Sequence, residues 1–315
     1  MKKKILILLP VVIVLVIAVL IILRPEWGKD RDDSKLHDEN SKYAISYSLI
    51  QKDFKIGSPQ AFVYNVSNDT IIFAKGHDKV VRPGSTTKLL TALYSLTVLS
   101  PKEIITPKDE LHLVKEGSSI AYIHSGHKLS VEMLIEGMML PSGNDAAYVL
   151  AAAVGRKLSN NQELDGERAI DAFLSGMSEY AKEIGLCGTN FISPDGYSDE
   201  THYTTTEDML IISKLALENQ LIRKYASLPK DDVVYASGHI NTWHNTNKLI
   251  DKESAFYSEH AVGLKTGSLD DEYSLIFAFR FDDGREYIAG VFGAKNKNTR
   301  YKDALEIIEE LENNP

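Results

Sequence analysis

The hydrophobic period of this 315-residue chain changes along its length, and the order of those changes constrains the fold more than any other feature. Residues 61–65 and 71–75 are β-rich runs split by Ser67-Asn68-Asp69, which reads as a hairpin. Helical spacing follows. After Pro83-Gly84, residues 85–99 place Leu89, Leu90, Leu93 and Leu96 on one face, with Ser85 where the helix starts. Further helices are expected over 130–140 with Ser130 as N-cap, over 145–157, over 173–185, and over 205–218 capped by Thr205 or Thr206. The period then returns to two in 261–265, 273–281 and 286–292, with the turn signal Asp282-Asp283-Gly284 between the last two. A terminal helix is expected over 303–311. Consecutive strands with short connections favour antiparallel pairing. The expectation is one α+β domain: a five-stranded antiparallel sheet flanked by helices, with a helical subdomain inserted after the first strand pair.

The N-terminus sets the compartment. Lys2, Lys3 and Lys4 precede an uncharged run over 5–23, closed by Arg24 and Pro25. At about 1.5 Å per residue this run reaches roughly 28 Å, close to the hydrocarbon thickness of a bilayer. No short apolar core with a small-residue cleavage site is visible, so a retained signal-anchor is expected rather than a cleaved signal peptide. The positive-inside rule puts the lysines in the cytoplasm and the rest of the chain outside. The expected organisation is a cytoplasmic tip over 1–4, a transmembrane anchor over 5–23, a polar linker over 24–42 and a catalytic domain over 43–315. Formal net charge is −9, and −13 beyond residue 24. That balance excludes nucleic acid as a partner, since phosphate contacts need a basic face. The sole cysteine, Cys187, allows no intrachain disulfide and is expected to be a small buried apolar residue.

Three short motifs carry chemistry. In S-x-x-K, a Ser and a Lys three apart share a helix face, and a neutral lysine can take the hydroxyl proton to make a nucleophile. The chain holds three copies, at Ser85/Lys88, Ser125/Lys128 and Ser227/Lys230. Only Ser85 heads an apolar helix, where its unpaired backbone N–H can donate to an oxyanion. S-x-N occurs at Ser142-Gly143-Asn144, in a break between two helices, and again at Ser159-Asn160-Asn161 in a polar loop. The first lies in apolar surroundings, which argues for a buried, positioned break. K-T-G occurs once, as Lys265-Thr266-Gly267, at the end of a strand pattern. A Gly there permits close approach of another backbone or a ligand, and a Lys with a Thr suits a carboxylate. Each motif alone is weak.

Taken together and in this order, the three motifs resemble the signature of penicillin-binding proteins and related β-lactamases. The chain is similar to the serine D-alanyl-D-alanine carboxypeptidase family (the low-molecular-weight penicillin-binding proteins) across roughly 44–311. The resemblance rests on Arg82-Pro83-Gly84-Ser85-Thr86-Thr87-Lys88, Leu140-Pro141-Ser142-Gly143-Asn144-Asp145, Pro194-Asp195-Gly196, Asn245-Thr246-Asn247-Lys248 and Gly263-Leu264-Lys265-Thr266-Gly267. It implies the β-lactamase/D,D-peptidase fold, no metal and no cofactor. The substrate it implies is a peptidoglycan stem peptide ending in D-Ala-D-Ala, with β-lactams as covalent inhibitors. Ser85 is then the nucleophile, Lys88 its base and Ser142 the proton relay to the leaving amine. Asn144 orients Lys88 and the substrate amide, and burial or a nearby cation such as Lys265 is expected to lower the pKa of Lys88. The N–H groups of Ser85 and Ser268 form the oxyanion hole, Thr266 binds the terminal carboxylate and Gly267 completes the strand motif. Arg300 matches an arginine near that carboxylate, or else is a surface residue at a helix start.

The chain departs from the family pattern at Ser193, at Tyr197 and at Asp271-Glu272-Tyr273-Ser274, the last expected to reshape the cleft rim. It ends before the C-terminal β domain and amphipathic helix of many members, so the N-terminal run is expected to do the anchoring. Two other readings compete. A class A-like β-lactamase needs a deacylating Glu between S-x-N and K-T-G, and neither Glu163 nor Glu179 has that context. A non-catalytic, membrane-tethered wall-binding protein has no reason to keep Ser85, Lys88, Ser142, Asn144 and Lys265 intact. A zinc site fails at His124 and His127, because Gly126 breaks a ligand helix between them. Carboxypeptidase, endopeptidase and transpeptidase share this constellation; a lone catalytic domain favours the first.

Overall fold

The computed structural model describes residues 46–47, 52–77, 79–197 and 200–314. The expectations for 1–45, anchor and linker included, lie outside the described residues.

Ten strands and seven α-helices are named in chain order. The strands are β1 (Ser46–Tyr47), β2 (Gln60–Asn65), β3 (Thr70–Lys75), β4 (Ile104–Ile105), β5 (Leu129–Ser130), β6 (Lys230–Val234), β7 (Ile240–His244), β8 (Ala261–Leu269), β9 (Glu272–Arg280) and β10 (Glu286–Ala294). The helices are α1 (Lys88–Val98), α2 (Val131–Met139), α3 (Asn144–Leu158), α4 (Gly166–Glu183), α5 (Thr206–Glu218), α6 (Gln220–Ala226) and α7 (Thr299–Asn313). The main sheet runs β1-β3-β2-β10-β9-β8. The five expected strands are antiparallel throughout, and two-residue β1 adds a parallel edge beside β3.

Alternation along these strands builds two cores, one on each face of the sheet. Ala61, Val63, Leu275, Phe277, Phe279, Ala289 and Val291 point to one face and bury Tyr301, Ala304, Ile307 and Leu311 of α7. Phe62, Tyr64, Ile276, Ala278, Ile288 and Phe292 point to the other and meet the helical layer. Strand residues one apart thus belong to different cores, as the two-residue side-chain period requires. At the rates typical of large-to-small core changes, losing any one of these buried Phe rings costs about 3–5 kcal/mol.

Caps fix the helix starts. Met133 N donates to Ser130 Oγ and Asp208 N to Thr205 Oγ1, as expected from sequence. Helix α4 begins at Gly166, seven residues before the periodic stretch, because Asp165 accepts from Arg168 N and nucleates a polar first turn. The sequence reading lacks α6 and the β6–β7 hairpin. Both are short, and β6 carries Lys230, Asp231 and Asp232, so no local preference announces them. Tertiary contacts hold the hairpin: Trp243 is buried and its Nε1 donates to Ala121 O (2.9 Å).

Candidate active site

Ser85 lies in a 3₁₀ turn, Gly84–Thr87, that runs directly into α1. Three residues per turn eclipse the side chains at i and i+3. This stacks Ser85 on Lys88, whose Nζ donates to Ser85 Oγ at 2.8 Å. The same ammonium donates to Asn144 Oδ1 (2.7 Å) and to the backbone oxygen of Asp195 (3.0 Å). Its side chain is fully buried. The other two S-x-x-K copies build nothing similar. Ser125 is exposed in a turn, and Ser227 caps the end of α6 by donating to Lys224 O.

The second motif forms the break between α2 and α3. Gly143 N donates to Gly137 O (2.8 Å) and Asn144 N to Ser119 O (2.8 Å), which anchors the break on both sides. A Cβ at Gly143 would stand 2.7 Å from Ala121 Cβ and 2.9 Å from Gly137 O, so only glycine fits. Ser142 takes a left-handed φ of +63°. Such strain in a non-glycine residue persists only where the surroundings impose it. Its Oγ accepts from Lys265 Nζ at 2.8 Å.

The third motif corrects the sequence reading: Lys265-Thr266-Gly267 lies inside β8, which continues to Leu269, and not at a strand end. A bulge hides the continuation. Register slips between Ala261 and Gly263, where Gly263 and Leu264 have φ of +118° and +108°. The bulge interrupts the two-residue alternation just before Lys265. The close approach predicted for Gly267 is made by a backbone, since a Cβ there would meet Pro83 O at 2.3 Å. Strand β8 therefore packs directly on the turn that carries Ser85. Thr266 Oγ1 shares a hydrogen bond with Thr246 Oγ1 (2.7 Å).

Arg300 is not at the surface: it is 1% exposed, in the first turn of α7. Its Nη1 donates to Gly267 O (2.6 Å), Ser268 Oγ (3.1 Å) and Ser274 O (3.1 Å), tying β8 to β9 beside the third motif. The guanidinium lies over the rings of Tyr273 and Tyr301. Tyr273, one of the departures from the family pattern, is thus part of the arginine's seat. Asp271 is exposed and Glu272 half-buried, and both pair with Lys295, at 3.7 and 3.6 Å.

Burial lowers the Lys88 pKa to about 8, against the opposing pull of Asp195 and Asp145. Burial likewise holds Lys265 well below its ordinary value, followed by the charges of Lys88 and Arg300. Of the two causes expected for Lys88, burial is the larger, and the like charges of Lys88 and Lys265 disfavour each other's protonated forms. The result is a neutral-capable lysine against a hydroxyl, and a second Ser–Lys pair beside it. That set can pass a proton off Ser85 and hand one onward to a leaving group.

Four residues without an assigned role in the sequence reading complete the site. Asp145 accepts from Ala121 N (2.8 Å) and Ile123 N (2.9 Å). Asp195 supplies the carbonyl on Lys88, and Thr246 supports Thr266. His202 meets Thr87 Oγ1 (2.9 Å) and accepts from Ile192 N (3.1 Å), joining the 190–196 segment to the nucleophile turn. Asp145, Asp195 and Thr246 sit within or beside runs already similar to the family; His202 has no such flag.

A Ser–Lys acyl-transfer site at a sheet edge, faced by a second Ser–Lys pair, defines a class of serine hydrolase. Residues 48–296 match the family described as D-alanyl-D-alanine carboxypeptidase. A D-alanyl-D-alanine carboxypeptidase of Streptomyces sp. strain K15 is 31% identical over 263 residues, 80% of this chain and 86% of that protein. The chain spans 64% of the longer DacF of Bacillus subtilis strain 168. The crystal structure of the Streptomyces K15 DD-transpeptidase superposes with a TM-score of 0.71 at 28% identity, covering 83% of this chain and 98% of that one. Penicillin-binding protein D2 of Listeria monocytogenes, in its ampicillin-bound form, gives 0.65 at 26% identity, covering 82% and 98%. The chain belongs to the D-alanyl-D-alanine carboxypeptidase family.

Proposed function

We propose that this chain is a serine D,D-carboxypeptidase that removes the terminal D-Ala of peptidoglycan stem pentapeptides through a Ser85 acyl-enzyme. The observation that carries this reading is the double contact of Lys88 Nζ with Ser85 Oγ and Asn144 Oδ1, beside the Lys265–Ser142 pair. Neutral Lys88 takes the Ser85 proton as Oγ attacks the carbonyl of the penultimate D-Ala. The oxyanion is held by the N–H groups of Ser85 and Ser268. Those two segments touch, since a Cβ at Gly84 would lie 3.1 Å from Ser268 N. Each such donor is worth about 3–4 kcal/mol of barrier. Ser142, held by Lys265, relays the proton that Lys88 took to the departing D-Ala amine, which leaves Lys88 neutral again. Thr266 receives the terminal carboxylate, and Arg300 adds positive charge behind Ser268. Water then attacks the ester, and Ser85 recovers its proton.

The ampicillin-bound form of a similar structure supports the same attack on β-lactams. The name DD-transpeptidase on another supports a second reading, in which an amine takes the place of water. The uncharged run over 5–23 behind Lys2–Lys4 supports membrane anchoring with the catalytic domain outside.

Fluorescent penicillin tests all three. The chain is expected to form a one-to-one adduct at Ser85 that is lost in Ser85→Ala, and to release D-Ala from a pentapeptide. In cells the label is expected in carbonate-washed membranes. An unchanged adduct in Ser85→Ala sinks the nucleophile assignment. Transfer to an added amine in preference to D-Ala hydrolysis selects the second reading. Label in the soluble fraction removes the anchor.

A further inference from the structure

His202 is a buried imidazole that takes no part in the acyl transfer itself. The two residues after it are fixed by antiparallel bridges, Tyr203 to Asn190 and Thr204 to Val81. Its ring stacks on Phe191 with centres 4.7 Å apart and planes 5° from parallel. Nδ1 accepts from Ile192 N (3.1 Å), so the proton of the neutral ring sits on Nε2 and is donated to Thr87 Oγ1 (2.9 Å). The ring thus spans a seam, with the 190–196 segment on one side and the nucleophile turn on the other. Both sides reach Lys88. Thr87 precedes it in the chain, and the backbone oxygen of Asp195 accepts from its Nζ (3.0 Å). Thr91 Oγ1 donates to Pro194 O (2.6 Å), and a Cβ at Gly196 would stand 1.9 Å from Gly84 O, so the segment lies directly on the turn. The charged groups that face Lys88 are Asp195 from this segment, Asp145 from α3 and Lys265 from β8. Asp145 and Lys265 are set by a helix and a strand, whereas Asp195 lies outside both, so its placement depends on the ties across the seam.

We propose that His202 is a positioning residue for the general base: it clamps the 190–196 segment to the nucleophile turn and so sets how tightly Asp195 holds the proton of Lys88. This rests on the Ser85 acyl-enzyme reading. A hydrogen-bond acceptor and a negative charge beside an ammonium both favour its charged form. A looser Asp195 therefore leaves Lys88 neutral at lower pH but less firmly aimed at Ser85, and aim is worth more to the rate than the amount of neutral amine. Thr91 and Gly196 still seat the segment when His202 is changed, so the fold is expected to survive the loss of the clamp.

The test follows the rate constant of acylation by benzylpenicillin against pH in the full chain, with Tm measured beside it. His202→Asn keeps an acceptor in place of Nδ1 but is too short for Thr87. Thr87→Val keeps the shape of Thr87 without its hydroxyl, and so cuts the same clamp from the other end. In each variant the limb of the profile is expected to move down by about one pH unit, the size of one hydrogen bond to a charged group, and the plateau to fall about tenfold. The double variant is expected to add nothing to either single change, because both remove one interaction. A lower Tm with the limb unmoved in both variants makes His202 a packing residue and overturns the proposal, as do effects of the two that add. If His202→Asn does not fold, the limb of Thr87→Val decides in the same way. Failure of wild type to be acylated at all overturns the Ser85 reading beneath the proposal, and the proposal with it.

Discussion

Lys88 is an amine enclosed without solvent, and its proton is the variable on which the chemistry turns. It is held by three acceptors, of which two are neutral backbone or amide oxygens and the third is the hydroxyl it must deprotonate. Only the unprotonated amine can accept from Ser85. Burial brings its pKa to about 8, so the reactive form grows as pH rises through that value. The acylation rate constant with a β-lactam, followed by stopped flow, is expected to climb along a limb centred near 8 and then level off. Lys88→Arg keeps the charge at every accessible pH and is expected to lose acylation by about a thousandfold or more. A flat profile across this limb would remove Lys88 as the base. At this scale the sequence was legible where a role depends on residue type at a fixed spacing. Ser85 and Lys88 were found that way because i, i+3 geometry is local. The state of Arg300 was not, because burial depends on Tyr273, Gly267 and Ser274, none of which is near it in sequence.

Elements meet at the site through the third motif. Strand β8 lies against the Ser85 turn with no side chain at Gly267 to separate them, and α7 braces the strand from behind through Arg300. Gly267→Ala places a methyl where Pro83 O stands at 2.3 Å, and neither backbone can yield without moving the Ser268 N–H. The variant is expected to lose about 2–4 kcal/mol in denaturant unfolding and about a hundredfold in β-lactam acylation, since a displaced oxyanion donor is as good as absent. Native stability with wild-type acylation would show that the strand can retreat harmlessly. The periods of two and 3.6 made β2, β3, β8, β9, β10 and most helices legible, because those elements bury one face. The reach of β8 was not legible: its bulge at Gly263 and Leu264 breaks the alternation that marks a strand. The β6–β7 hairpin was missed for another reason. Its inward residues Val233, Tyr235 and Trp243 are few, and its order comes from partners such as Ala121, far off in sequence.

At the scale of the whole catalytic body, buried titrating groups in different layers pull stability in opposite directions as pH changes. Glu136 of α2 is 3% exposed, has its Oε1 buried without a hydrogen-bond partner, and lies near enough to Asp231 of β6 to feel its charge. Burial, then Asp231, raises its pKa from 4.5 to about 8. The folded chain keeps this proton up to about pH 8, whereas the unfolded chain releases it near 4.5, so the folded state binds more protons in between. Its contribution is therefore full below 4.5 and is lost as pH rises through about 8. Lys88 has the opposite sign. Its folded pKa of about 8 lies below the ordinary 10.5, so the unfolded state binds more protons in that window and stability recovers with rising pH. The two together place a shallow minimum near pH 8, which is also where the site becomes reactive. Glu136→Gln keeps the shape and a donor toward Asp231 but has no proton to lose. It is expected to flatten the fall in unfolding free energy between about pH 5 and pH 8 by on the order of 3 kcal/mol, read from denaturant curves at each pH. An identical slope in the two proteins would mean that Glu136 ionises freely in the folded state and that the α2–β6 contact carries no proton.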